Sequence, residues 1–209
     1  MTSLLELSSA SSTTEMPQQT VKNDGEPNET LNQQLAVAKT VLNQAVDLLD
    51  NHLVSDEQLS VQSQFLPGST IGKHLRHARD HFTLLLESQR NPPPHVMSYD
   101  TRIRNTPMEI SRAGARTALL ETLRLLEDVV PNAQLDEPIT LQAITPYMHE
   151  FKTTFGRELW FASLHCVHHW SMVRVIVGEI GIKLADDFGF APSTLVYRGG
   201  QAPLGKANL

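Results

Sequence analysis

A chain of 209 residues, 40% of them hydrophobic and with a formal charge of −6, is long enough to bury the core of one ordinary domain. Its acidity, and the lack of any basic patch interleaved with aromatics, exclude a nucleic-acid binder, because phosphate contacts need such a patch. No apolar run reaches the roughly 18 residues that would span a membrane, and the single cysteine, Cys166, excludes an internal disulfide and fits a reducing compartment.

Residues 1–28 are rich in Ser, Thr, Gln, Glu and Pro, cannot bury enough apolar surface to offset their ordering entropy, and are expected to form a disordered tail. The first positive charge is Lys22, so the basic start of a signal peptide is lacking; cytoplasm is the expected location, with the nucleus not excluded. A single domain is expected over residues 29–198, followed by a flexible C-terminal tail over residues 199–209. From Thr30 to about His52, Leu31, Leu35, Ala38, Val41, Leu42, Ala45, Leu48 and Leu49 recur at helical spacing and predict one amphipathic helix. The turn Leu66-Pro67-Gly68-Ser69 leads to an N-cap at Ser69 or Thr70. A second helix follows to residue 89 and ends before Pro92-Pro93-Pro94.

Residues 91–105 read as a long loop carrying Tyr99, Arg102 and Arg104, and long loops in compact domains are often functional, which makes these three candidates for substrate contact. Thr106-Pro107-Met108-Glu109 has the pattern of a capping box with proline at the first helical position, predicting a third helix from there to about Val130. Pro138–Ala143 and His149–Thr153 alternate or are β-branched on either side of a Pro-containing turn, predicting a small β-hairpin. Thr154 then caps a fourth helix over residues 155–180. The tail after Gly181, with Leu184, Phe188 and Leu195, is too apolar to float free and should pack back on the domain. The expected class is all-α, with the small hairpin before the last long helix.

The chemistry concentrates in histidines. Of nine, six stand in two helical windows: His74, His77 and His81 on the second helix, and His165, His168 and His169 on the fourth. At about 100° per residue, His165 and His169 lie one above the other, roughly 5–6 Å apart at Cβ, close enough to share one metal ion. A third ligand must come from elsewhere, and the stripe of His74, His77 and His81 is the obvious source if the two stripes face each other. Cys166 reads as a small buried residue, since its neighbour His165 points about 100° away from it.

With these residues in view the chain resembles the DinB-like (DinB/YfiT) superfamily of metal-dependent enzymes. The likeness is carried by His74-Leu75-Arg76-His77 on the second helix and His165-Cys166-Val167-His168-His169 on the last, over roughly residues 30–195. The resemblance implies a four-helix bundle and a divalent transition metal held by His77, His165 and His169. His74, His81 and His168 are extra histidines of this chain, and so additional or alternative ligands. Three histidines and water would leave the ion an open position, as catalytic sites do. Zinc is the first choice of ion, ahead of nickel, manganese or iron. Glu158, on the same face as His165, is the candidate carboxylate to orient a ligating imidazole.

The activity implied is a thiol-dependent S-transferase or a hydrolase acting on a small molecule, with a low-molecular-weight thiol as the expected partner. The competing expectation is a non-catalytic bundle that binds metal or ligand as a stress or sensor protein. Bundles of this kind often pair through an exposed helix face, so a homodimer and a monomer are expected equally.

Overall fold

The computed structural model describes residues 27–197. The tails expected over residues 1–28 and 199–209 lie outside the described residues, except that the first helix takes in residues 27 and 28. The chain folds mostly into helices with one three-stranded sheet: α1 (Pro27–Asp47), α2 (Ile71–Gln89), β1 (His95–Met97), α3 (Arg112–Val129), β2 (Pro138–Ile144), β3 (Met148–Thr154), α4 (Phe155–Glu179) and the short α5 (Pro192–Tyr197). Among these residues no helix is long and apolar enough to cross a membrane.

The helices form where the apolar spacing and caps place them. α1 buries Leu31, Ala38, Val41, Leu42 and Ala45 and runs into a π-helical turn over Leu48–His52. The Thr70 hydroxyl accepts the Lys73 N–H at the start of α2, and the Thr154 hydroxyl accepts the Arg157 N–H at the start of α4, each satisfying one of the unpaired donors of a first turn. α4 packs against both α2 and α1, and α3 against the other side of the same two helices. Trp170 of α4 is fully buried and donates its indole N–H to the Val41 carbonyl at 2.6 Å, tying α4 to α1.

Two expectations need correction. The capping box at Thr106 is present, yet it closes only a 3-10 turn over Pro107–Glu109, and α3 starts later behind its own cap, Ser111. Tertiary contact is the cause. A Cβ on Gly72 would lie 2.1 Å from the Glu109 carbonyl oxygen, so the turn is pressed onto the α2 backbone. The buried Arg76 guanidinium holds the Glu109 carboxylate at 3.3 Å and that of Asp80 at 3.2 Å. The chain leaves helical geometry at Ile110 before it can propagate.

The second correction concerns the sheet, in an otherwise mostly helical fold. The hairpin of β2 and β3 is there in antiparallel register, Leu141 facing Phe151, but β1 adds a parallel strand on the other side of β2, His95 facing Ile139. β1 occupies the stretch read as loop. Its three residues directly after a proline run are too few to show a period of two, and the pairing that makes them a strand comes from residues far along the chain.

The apolar tail does fold back. Phe188 is buried and stacks on Trp170, with ring centroids 6.4 Å apart, while the Arg174 and Ser171 side chains hold the Phe188 and Gly189 carbonyls. Gly189 has φ +71°, and a Cβ there would come within 2.7 Å of the Trp170 carbonyl carbon. Gly189→Ala should therefore destabilise the fold by roughly 1–3 kcal/mol, from left-handed strain plus the clash. Thermal denaturation would show this as a melting temperature lower by about 3–8 °C.

Candidate metal centre

α2 and α4 lie side by side with their histidine stripes facing each other. One ring nitrogen from each of His77, His81 and His165 falls within 4.8 Å of the other two, so these three histidines could hold a metal ion. Their rings crowd closely: centroids are 3.8 Å apart for the stacked His81 and His165, 4.9 Å for His77 and His81, and 5.2 Å for His77 and His165. His169 stands just behind, its ring 4.6 Å from those of both His77 and His165.

Hydrogen bonds fix how the rings present themselves. His81 Nδ1 lies 3.1 Å from the His77 carbonyl oxygen, where only an N–H can bond, so its lone pair is on Nε2. A backbone carbonyl on the far nitrogen is the usual brace of a metal-ligating histidine. His169 Nε2 is 3.1 Å from His165 Nε2. One proton between them makes a hydrogen bond; equally, the spacing is close to the ~3.3 Å separating two nitrogens bound at ~2.05 Å to one tetrahedral ion. His169 Nδ1 meets His74 Nδ1 at 2.7 Å, which leaves His74 Nε2 buried with no partner.

Electrostatics keep these imidazoles neutral. Burial first, and then the charge neighbouring histidines would carry, push His165 down to about 3 and His169 to about 2. His74 and His77 are pushed down to about 4, again by burial first. His81 is lowered by burial, against its bond to the His77 carbonyl. At neutral pH each of these rings therefore keeps one unprotonated nitrogen, as metal ligation requires. The donor set thus fits a divalent transition metal, for which imidazole is a preferred ligand.

Of the residues expected as ligands, His77 and His165 are in the convergent triple and His169 touches it through His165. His81 completes the triple. His74 lies behind His169. His168 is exposed, its ring 6.2 Å from that of His165, because a residue three positions along is rotated off the His165–His169 line. Cys166 is fully buried, and burial pushes its thiol well above the usual range, as suits a packing residue.

Glu158 is fully buried and accepts three hydrogen bonds: from the Tyr99 hydroxyl at 2.8 Å, from Thr153 at 2.7 Å and from Arg157 at 2.7 Å. Those bonds do not reach an imidazole. They brace Tyr99, whose ring stacks flat on His81 with centroids 4.5 Å apart. Tyr99 is therefore a wall of the centre, with its hydroxyl committed to Glu158. Arg102 is exposed but close enough for its charge to oppose protonation of His77 and His81; Arg104 is exposed.

Phe161, its ring 5.6 Å from His165 and 5.5 Å from Tyr99, is a further wall residue. Its place four residues before His165 on one helix face was a usable signal. Thr153 and Arg157 had none, since their role appears only once β3 and α4 are joined end to end.

A family model described as the DinB superfamily matches residues 34–173. The chain belongs to the DinB superfamily. The matched span runs from within α1 to most of α4, and takes in all six histidines of the two facing stripes. This DinB chain is also similar to a protein of Rhizopus delemar (strain RA 99-880) named FK506-binding protein 5, at 31% identity over 167 residues. The match covers 78% of this chain and 37% of that protein, so the chain spans little more than a third of the relative's length. No solved structure matches.

Proposed function

We propose that this DinB-superfamily chain is a divalent-metal-dependent enzyme acting on a small molecule by thiol-dependent S-transfer or by hydrolysis, on a four-helix-bundle scaffold and in the cytoplasm. The observation that carries the reading is the convergence of His77, His81 and His165, neutral imidazoles from two helices with ring nitrogens within 4.8 Å of one another. Three such donors suit zinc first, then nickel, manganese or iron. A divalent ion held there supplies a Lewis acid that lowers the pKa of a small thiol or of water.

The chain's own side chains do the rest. Tyr99 and Phe161 wall the centre with aromatic rings and exclude water from one side. Glu158, itself held by Thr153 and Arg157, keeps Tyr99 flat on His81. Arg102 places a positive charge beside the imidazoles, suited to drawing in an anionic substrate such as a carboxylate-bearing thiol.

Cobalt substitution tests the reaction class. Cobalt-loaded protein titrated with cysteine or glutathione should develop the near-ultraviolet absorption of sulfur on cobalt. A spectrum indifferent to thiols, with ester or amide hydrolysis intact, would leave the hydrolase and remove the transferase. A second reading, a non-catalytic metal-binding protein, draws support from His169: its Nε2, 3.1 Å from His165 Nε2, offers a fourth imidazole able to close the coordination sphere.

A further inference from the structure

β3 is the outer strand of the sheet, bonded to β2 on one side only. Two loop bonds show which of its peptide groups that bonding uses. The Phe155 N–H donates to the Glu137 carbonyl at 2.9 Å and the Thr145 N–H to the Tyr147 carbonyl at 3.1 Å. In an antiparallel ladder with this register, the pairs exchanging bonds are then Ile139 with Thr153, Leu141 with Phe151 and Ala143 with His149. The N–H and C=O of Met148, Glu150 and Lys152 consequently point away from β2.

Every residue from Met148 to Lys152 is exposed, with Phe151 at 50% and Met148 at 60%. An exposed edge carrying apolar side chains is a template for another strand. A lone lysine would protect it, but here Lys152 stands two residues from Glu150 on the same face of the strand.

We propose that β3 pairs with β3 of a second copy of this chain, antiparallel about a two-fold axis through Phe151, making one six-stranded sheet. The charges select the register. Centred on Phe151, Glu150 stands opposite Lys152 of the second copy and Lys152 opposite its Glu150, and these residues exchange the outward-pointing backbone bonds. A shift to a centre on Glu150 or on Lys152 sets like charges face to face. A shift by a single residue turns the outward peptide groups of one strand against the inward ones of the other. In the favoured register the two Phe151 rings form a non-bonded pair, the closer kind, where aromatic partners stabilise a sheet most directly. The contact is isologous, as two-fold dimers require.

Sedimentation velocity of the full chain over a range of micromolar concentrations tests this. The native chain should show a monomer–dimer equilibrium. Glu150→Lys and Lys152→Glu each bring like charges into both symmetric contacts and should weaken dimerisation roughly tenfold or more, while the double variant E150K/K152E restores opposite pairs and should recover it. Both positions are on the surface, so circular dichroism should show unchanged folding. Phe151→Cys should oxidise to a disulfide-linked dimer, with the natural Cys166 buried and out of reach. A native chain that stays monomeric throughout, a dimer indifferent to both single reversals, or a Phe151→Cys variant that does not cross-link would overturn the proposal.

Discussion

Excess zinc should raise the melting temperature of the native chain by about 6–16 °C, and His165→Ala should abolish the rise. Binding to the folded state alone adds on the order of 3–4 kcal/mol when the ion is at several hundred times its Kd, and in a chain of this size each kcal/mol moves the midpoint by about 2–4 °C. His165 is the choice because both ways of reading the centre share it. It belongs to the triple with His77 and His81, and its Nε2 is the one that faces His169. Losing it breaks either arrangement, whereas His168→Ala, on an exposed ring, should respond to zinc as the native chain does. Comparing His81→Ala with His169→Ala by scanning fluorimetry then separates the two ligand sets: the variant with the smaller zinc response has lost the ligand.

The metal-free chain should lose about 3 kcal/mol or more of stability between pH 7 and pH 5. In the unfolded chain each histidine takes up a proton near pH 6.5. In the folded chain burial, followed by the charge of neighbouring imidazoles, holds His169 at about 2 and His165 at about 3, while His74 and His77, also mainly through burial, stay at about 4. Below pH 6.5 the unfolded state therefore binds protons that the folded state refuses, so stability is complete above that pH and falls as acid is added, until the folded rings themselves protonate. Each group could contribute up to ~1.4 kcal/mol per pH unit; the figure given is discounted by about half, because the rings are only partly shielded from solvent.

Asp80 opposes the trend, since burial raises its carboxyl despite Arg76, but it is one group against five imidazoles, His81 included. Urea denaturation at pH 7, 6 and 5 measures the effect, and a midpoint that does not move would mean the rings are solvated. Acid should also release bound zinc, because the ligands must be deprotonated to hold it.

The parts of this fold that local chemistry determines were legible, and the parts that distant contacts determine were not. Thr70 and Thr154 each precede an amphipathic run, and each caps the helix expected of it. Histidine spacing on those helices was enough to say that two stripes face each other, and the family resemblance singled out His77, His165 and His169. Spacing could not say which of His74, His81 and His169 comes nearest, since that depends on the relative phase of two packed helices and on ring rotamers. His81 comes nearest, its ring stacked on both His165 and Tyr99.

Glu158 braces Tyr99 and makes no hydrogen bond to an imidazole. Its partner Tyr99 lies 59 residues away on a loop, a contact no spacing rule reaches. Thr106 shows the converse. Its capping box is satisfied, yet Arg76 and the bare backbone at Gly72 hold the following turn against α2, and tertiary packing sets the true start of α3 at Ser111.

Under the proposed function, imidazoles from α2 and α4 meet at one divalent ion and leave part of its coordination open. X-ray absorption of the zinc-loaded, dialysed chain tests it most directly. One zinc per chain is expected, with three imidazole nitrogens and one further light atom at about 2.0–2.1 Å. A sphere filled by four imidazoles, or a chain that retains no zinc, would contradict it.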